Sequence, residues 1–233
     1  MIHCLRLCAI AVVVALSITA AGATQIVQTQ EFGGTPDFNR DLVFNKANLG
    51  PTCTLNWIKV ILTLNVEGGQ YVLDNDGEEG GSGSFNFGGQ CSIINSTVPM
   101  IDVTSNPVVG MAQAGHSEAF SLAPNVDDGS GDYSPDGPDG MVYVGGLETD
   151  SRFGFINPTV FDQYIGAGTF TVTVNVTQWA NFAGMSGIEA GITPVLANGN
   201  VQVIYDITCV PEPGSIVGLL SGVGLLGLLR RRK

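Results

Sequence analysis

The sequence predicts an all-β fold, a two-sheet sandwich or jelly roll that forms a single domain. Three observations lead to this prediction. Several segments alternate apolar and polar residues with a period of two, which places alternate side chains on opposite faces of a strand. Gly, Asn, Asp and Pro separate these segments, as turns between strands require. Sustained helical periodicity is absent between the two ends of the chain, although Pro158–Tyr164 could form one or two helical turns.

Three segments give the strongest strand signals. Residues 169–176 alternate Thr or Asn with Phe or Val, and residues 201–208 alternate similarly with Ile204 as the exception. Residues 55–64 are apolar on one face and carry Trp57 and Ile61 on the other, which indicates a strand covered on both sides. Many short strands in a chain of this size favour a sandwich or jelly roll. The shorter candidates are Gln25–Glu31, Asp41–Asn45, Gln70–Leu73, Ser84–Phe87, Val98–Val103, Ser117–Leu122, Met141–Val144, Arg152–Phe155 and Ile188–Val195.

The N-terminus has the pattern of a secretory signal peptide, which we assign to residues 1–23. Arg6 supplies a positive charge, and an almost wholly apolar run follows from Ala9 to Ala20. Ala21 and Ala23 are small residues at the positions that signal peptidase reads, so we expect cleavage after Ala23. The alternative is an N-terminal membrane anchor, but the run is short for a span of about 20 residues.

The C-terminal segment, residues 211–233, combines three features. Pro211, Glu212 and Pro213 come first, and Ser215–Leu229 is an uncharged stretch of 15 residues. As a helix this stretch measures about 22 Å, shorter than a hydrocarbon core of about 30 Å. Four basic residues then end the sequence, and such residues stay on the cytoplasmic side of a membrane. The pattern predicts a short transmembrane helix with the body, residues 24–210, on the far side. The four basic residues are Arg230, Arg231, Arg232 and Lys233.

This segment resembles the PEP-CTERM sorting signal of Gram-negative bacteria. The resemblance implies recognition and cleavage near Pro-Glu-Pro by an exosortase, a membrane-embedded cysteine transpeptidase. It implies an exported protein that the inner membrane holds transiently through the C-terminal helix, and that then reaches the cell surface or the extracellular space. Such proteins typically accompany exopolysaccharide production. The alternative is a plain C-terminal anchor, which also leaves the body facing outward.

The predicted body is strongly acidic. Residues 24–210 contain 20 acidic residues and four basic ones, which gives a net charge of −16. Nucleic acid and anionic membrane surfaces are therefore poor partners. Divalent cations or simple colloidal solubility explain such a charge better. The strand-like aliphatic segments exclude a disordered acidic tail.

The body retains three cysteines in an exported setting that permits disulfides. We favour a pair between Cys53 and Cys91, because both flank strand-like segments inside the domain. This pairing leaves Cys209 free, two residues before Pro211. Pairing of Cys53 with Cys209 is the alternative that the spacing leaves open.

Two acidic loops are candidates for calcium, which takes carboxylate and carbonyl oxygens as ligands. Neither loop has EF-hand spacing, and solvated acidic loops without a bound ion are the alternative. No other cofactor is predicted, since one histidine and scattered cysteines do not form a zinc motif. The candidate ligands are Asp74, Asp76 and Glu78 in the first loop, and Asp127, Asp128 and Asp132 in the second.

Catalytic signals are weak in the body. His116 is its one histidine, its neighbour Ser117 would point to the opposite face of a strand, and a Gly-x-Ser-x-Gly elbow is absent. We therefore predict that the protein is not an enzyme and that it has a structural or adhesive role, associated with exopolysaccharide or biofilm. The alternative is a secreted carbohydrate-active hydrolase that uses paired carboxylates on a β-sandwich.

The body also resembles the choice-of-anchor E domain family. The resemblance rests on strand and turn residues, and it implies a β-rich extracellular domain joined to an anchoring tail, with no catalytic residues. The partners expected from both resemblances are signal peptidase, the exosortase and extracellular polysaccharide. The residues that carry the resemblance are Leu42, Phe44, Leu49, Gly50, Leu55, Val60, Leu62 and Leu64, followed by Phe161, Tyr164, Gly166, Gly168 and Phe170.

Overall fold

The computed structural model describes residues 22–126, 135 and 137–210. These residues form an all-β structure with one short 3-10 helix at Pro158–Tyr164, which confirms the all-β part of the predicted fold class. The strands are β1 (Gly22–Gly34), β2 (Phe38–Asn45), β3 (Cys53–Glu67), β4 (Gln70–Asn75), β5 (Gly81–Ser96), β6 (Ala112–Leu122), β7 (Gly140–Val144), β8 (Glu148–Phe155), β9 (Thr169–Ala183), β10 (Ile188–Thr193) and β11 (Leu196–Cys209).

The strands pair in a nested order. β1 pairs with β11, β2 with β9, β3 with β8 and β5 with β6, and every pair is antiparallel. β11 also pairs with β3, and β5 with β9. The result is sheet 1, with order β1-β11-β3-β8, and sheet 2, with order β2-β9-β5-β6. Strands from the first part of the chain therefore pair with strands from the last part.

Sheet 3, with order β10-β4-β7, makes three sheets where the sequence predicts two. Its strands continue β11, β3 and β8 of sheet 1 in the same order, after interruptions of two or three residues. Gly68 and Gly69 separate β3 from β4 with φ of +68° and +75°, a conformation that glycine adopts without strain. Pro194, which has no amide hydrogen for a ladder bond, stands between β10 and β11. The predicted sheet is thus divided by a bend.

One cluster of buried side chains lies between the sheets. In residues 58–66 of β3 and 170–176 of β9, every second residue faces this cluster, as the predicted alternation requires. Aromatic rings fill its centre: Phe44 stacks on Phe170 with centroids 5.5 Å apart, and Tyr71 stacks on Phe85 at 4.4 Å. The alternation of apolar and polar residues in the sequence therefore predicts which side chains reach the core.

Two details of the strand predictions are wrong. Val98–Val103 is not a strand but part of the β5–β6 connection, where Ile101 forms an isolated bridge with Pro107. The Asp102 carboxylate bends the chain there, because it accepts hydrogen bonds from the backbone of Thr104 and Asn106. β3 is not covered on both sides either: on its outer face the neighbouring Phe153 of β8 is 62% exposed.

The described body has two distinct ends. We call the end where β3 begins and β11 finishes the tail end, because the chain continues from there into residues 211–233. We call the opposite end the loop end, where β4 and β6 finish and β5 begins. Three connections meet at the loop end, since Asp76 N donates to Gly187 O and Asn125 N donates to Gly77 O.

Candidate functional site

The outer face of sheet 2 is uncharged along two long strands. β5 and β9 together contain no Asp, Glu, Lys, Arg or His, although the predicted body carries 20 acidic residues. Alternate residues of β9, β5 and β6 point away from the core and form what we call the polar face. Its residues are Thr173, Asn175, Thr177, Trp179 and Asn181 of β9, Ser84, Asn86, Gly88, Gln90 and Ser92 of β5, and Gln113, Gly115, Ser117 and Ser121 of β6.

Side-chain hydrogen bonds link neighbouring strands on this face. Gln90 Nε2 donates to Thr177 Oγ1 at 2.9 Å, and Asn181 Nδ2 donates to Asn86 Oδ1 at 3.1 Å. At the edge strand β2, the Asp41 carboxylate accepts from Thr173 Oγ1 at 2.7 Å. Each amide or hydroxyl retains further donor or acceptor capacity toward solvent. The arrangement can form many neutral hydrogen bonds with a ligand that lies along the strands.

The indole of Trp179 lies across this face and packs over Gly88 and Gly115. Its indole reaches from β9 over β5 to β6, where a Cβ added to Gly115 would come within 2.9 Å of Cζ2. Gly88, the register partner of Trp179, separates the two. The indole Nε1 donates to Gly89 O at 3.2 Å, which fixes the ring. A half-buried indole held in this way offers a flat apolar surface among hydrogen-bonding groups.

The polar face was missed at the sequence level. The available signal was the absence of charge from β5 and β9, which stands out only against the acidity of the remaining body. Gly88 and Gly115 also interrupt strand patterns, a sign of close approach by another group. Their connection with Trp179 requires the strand register, which the sequence does not provide.

The structure does not bring the first group of calcium candidates into a metal site. Asp74 is buried in β4 opposite Glu189 and Gly140, whereas Glu78 is exposed in the following loop. Among residues 22–126, 135 and 137–210, no three His, Cys, Asp or Glu side chains are placed to hold a metal ion together. The second group, Asp127, Asp128 and Asp132, lies outside the described residues, so calcium binding there stays a prediction.

His116 is buried in β6. Its ring packs against Phe87 and Tyr143, and its Nδ1 lies 4.0 Å from Glu148 Oε1. Gly145 makes room for the imidazole, because a Cβ there would come within 2.8 Å of Nε2. Burial raises the pKa of Tyr143, and the nearby carboxylates of Glu118 and Glu148 raise it further. Ser117 points to the opposite face, as predicted.

The favoured disulfide is wrong, and the alternative pairing is present. Cys53 and Cys209 are register partners at the tail end of β3 and β11, and their sulfurs are bonded. Cys91 lies in β5 of the other sheet, fully buried against the core. Burial raises the pKa of the Cys91 thiol to about 12. The spacing of the cysteines in the sequence could not distinguish the two pairings, because it does not show which residues are opposite each other on neighbouring strands.

Most predicted targeting residues lie outside the described residues, so the structure does not test them. These are Ala21, the Pro211–Pro213 motif, the apolar stretch and the basic tail. Ala23 lies in β1 opposite Thr208, so the predicted cleavage would remove the first two residues of that strand. In the part of the chain that the structure describes, no helix has the length and apolarity to span a membrane.

Comparison with known proteins identifies the tail. Residues 210–233 match the PEP-CTERM protein-sorting motif. The protein is therefore exported, crosses the membrane before release at the surface, and is targeted to an exosortase. The match begins at Val210, immediately after β11, so it does not test the predicted resemblance of the body to choice-of-anchor E domains.

No curated protein matches the chain. Among solved structures, the VP2 subviral particle of infectious bursal disease virus is 9% identical, with 88% of this chain and 49% of that chain covered and a TM-score of 0.16. The chain thus spans about half the length of that protein. A mud crab tombus-like virus structure is 12% identical, with 88% and 90% covered and a TM-score of 0.20. Such low TM-scores support no inference about fold or function.

Proposed function

We propose that this protein is a structural or adhesive component of the extracellular polysaccharide layer and that its polar face contacts the polymer. The observation behind the proposal is a face that carries an indole and whose two long strands, β5 and β9, have no charged residues, on a protein that is otherwise strongly acidic. Neutral sugar chains present hydroxyl groups that donate and accept hydrogen bonds, together with apolar ring faces. Thr, Asn and Gln side chains match the hydroxyls, and Trp179 matches a ring face.

The nested pairing of β1 with β11, β2 with β9, β3 with β8 and β5 with β6 supports a jelly-roll classification. Such a scaffold presents the broad outer faces of its sheets to solvent. Sheet 2 would then act as a rigid surface and not as an enclosed pocket. The proposal includes no catalytic role.

Binding to a polysaccharide panel tests the proposal. The purified full chain is incubated with insoluble neutral polymers, such as cellulose and chitin, and with acidic alginate, and the bound fraction is measured after sedimentation. We expect retention on at least one neutral polymer and weaker retention on alginate, because the full chain has a net charge of −12 and repels polyanions. W179A should weaken binding by about tenfold, equal to about 1.4 kcal/mol.

W57A is the matched control, because Trp57 is the other tryptophan and lies on the outer face of sheet 1. Equal affinities of W179A and the unmodified protein would contradict the proposed contact surface. Release of reducing sugar ends from any polymer would instead favour the hydrolase alternative.

A further inference from the structure

An aromatic patch lies on the outer face of sheet 1, on the side of the sandwich opposite to the polar face. The patch consists of Trp57 and Lys59 of β3 and Phe153 and Phe155 of β8. Phe155 is the register partner of Lys59, and Phe153 that of Ile61, so these side chains share one face. The rings of Trp57 and Phe155 meet edge to face at 5.7 Å. Lys59 Nζ lies 4.2 Å from the Phe153 ring centroid.

The patch is exposed to solvent. Phe153 and Phe155 are 62% and 47% exposed, and Trp57 is partly buried by its neighbours. Two large exposed phenylalanines beside an indole are more apolar surface than scattered surface residues usually create. The face continues toward the loop end with hydrogen-bonded polar pairs such as Thr63–Ser151 and Asn65–Asn198. The aromatic patch is thus confined to the half of sheet 1 nearer the tail end.

The sorting tail leaves the body close to this patch. Trp57 is the register partner of Asp206, and Val210 follows Asp206 by four residue steps, about 13 Å along an extended chain. Four more residues, Pro211–Gly214, precede the uncharged stretch that begins at Ser215. Fully extended, four residues span at most about 14 Å. While the tail is in the membrane, the tail end of the body therefore stays near the lipid surface.

Charge is distributed unevenly along the body, and one carboxylate lies beside the patch: Asp206, the register partner of Trp57, accepts a hydrogen bond from Asn56 Nδ2 at 2.9 Å. Lys59 is one of only four basic residues in the predicted body. Several acidic residues gather at the loop end, far from the tail. Those in the described part of the chain are Asp74, Asp76, Glu78, Glu79, Asp139 and Glu189. An orientation with the tail end toward the membrane keeps these carboxylates away from lipid phosphates.

We infer that the aromatic patch rests on the lipid headgroup region while the uncleaved tail holds the protein at the membrane. Tryptophan and other amphipathic side chains are favoured at the membrane–water interface, and lysine stems extend along apolar surface toward phosphate. The contact restricts the rotation of the body about its tail, so that the cleavage region is presented in one orientation. It uses sheet 1 and leaves the polar face of sheet 2 free.

Tryptophan fluorescence tests this inference, because the chain has only Trp57 and Trp179. Full-length W179F, which reports on Trp57, is reconstituted into phosphatidylethanolamine–phosphatidylglycerol vesicles with or without brominated phosphatidylcholine. We expect Trp57 emission to shift to shorter wavelength and to lose most of its intensity with brominated lipid. Full-length W57F, reporting on Trp179 of the opposite face, should keep its intensity. W179Y replaces W179F if the latter fails to fold.

Unquenched Trp57 emission in brominated vesicles would overturn the inference, as would equal quenching of both tryptophans. A second copy covering the patch would also leave Trp57 unquenched by brominated lipid, and would be seen as oligomers in sedimentation. F153S/F155S in the W179F chain provides a further check. It should reduce the quenching of Trp57, because it removes two of the three rings that contact lipid.

Discussion

Cys53 and Cys209 tie two central strands together where the chain leaves the body. Each is the register partner of the other at the tail end of sheet 1, and a backbone hydrogen bond from Val210 N to Thr52 O adjoins the disulfide. The covalent link joins residues 156 positions apart in the sequence. A disulfide across so long a loop strongly limits the freedom of the unfolded chain.

Replacing both bonded cysteines should therefore weaken the body. We expect C53S/C209S to lower the free energy of unfolding by about 2–5 kcal/mol, measured by urea denaturation. A reducing agent should produce a similar loss in the unmodified protein and no further loss in the variant. Coincident urea midpoints of the variant and the oxidised protein would contradict this expectation.

Residue-level features were the hardest to predict from the sequence. The pairing of Cys53 with Cys209 and the burial of His116 beside Glu148 both depend on which strands are neighbours. A period of two assigns a side chain to one face of its own strand. It does not identify the residue opposite on the next strand. The predicted contrast between His116 and Ser117 was correct because it required the alternation alone.

At the scale of elements, glycine positions decide where strands approach and where they bend. A Cβ on Gly88 would clash with the carbonyl oxygen of Ala114, and a Cβ on Gly115 would meet Trp179. Gly68 and Gly69 instead mark the bend between sheets 1 and 3. Glycine inside a strand therefore allows neighbouring groups to pack closely, whereas glycine at the bend allows the backbone to adopt positive φ.

The glycine beneath Trp179 gives a prediction about one element. G115A should destabilise the protein by about 1–3 kcal/mol, because the added methyl group overpacks the contact between β6, β5 and the indole. Thermal unfolding measures the loss, and Trp179 emission in a W57F background should shift as the ring is displaced. G110A is the matched control, since a Cβ at Gly110 would meet nothing within 4 Å. Equal destabilisation by both substitutions would count against this explanation.

Strand positions were largely predictable because alternation and turn residues are local signals. β3, β9 and β11 follow the predicted segments closely, and each extends beyond them. The strand prediction for Val98–Val103 was wrong because β-branched residues there are combined with a bend at Asp102. At this bend, hydrogen bonds to the Asp102 side chain replace the backbone hydrogen bonds of a strand. One predicted sheet is divided into sheets 1 and 3 because three neighbouring strands are interrupted side by side, between β3 and β4, β7 and β8, and β10 and β11. The alignment of these interruptions is visible only from the strand register.

At the scale of the whole molecule, charge and surface chemistry are distributed unevenly. Acidic residues gather at the loop end, the polar face carries none on β5 and β9, and the aromatic patch lies toward the tail end. Composition alone predicted the acidity but not its distribution. The body thus has three surfaces of different chemistry.

This acidity makes stability sensitive to salt. We expect the melting temperature to rise with sodium chloride, because screening reduces repulsion among the carboxylates; the Debye length is about 10 Å at 0.1 M. Calcium chloride at equal ionic strength separates screening from site binding. An equal rise with both salts indicates screening alone, and a larger rise with calcium supports the predicted site in the second acidic loop. A melting temperature independent of salt would contradict the screening argument.

The bond between Cys53 and Cys209 also determines how the body carries mechanical load. Any pull on the chain at Val210 reaches β11 and, through the disulfide, β3 at the same moment. β11 is flanked by β1 and β3, so the force enters the middle of sheet 1 and not an edge strand that could be peeled away. If attachment after sorting is made through this end, tension from the surrounding matrix would be shared by several strands before any one of them separated.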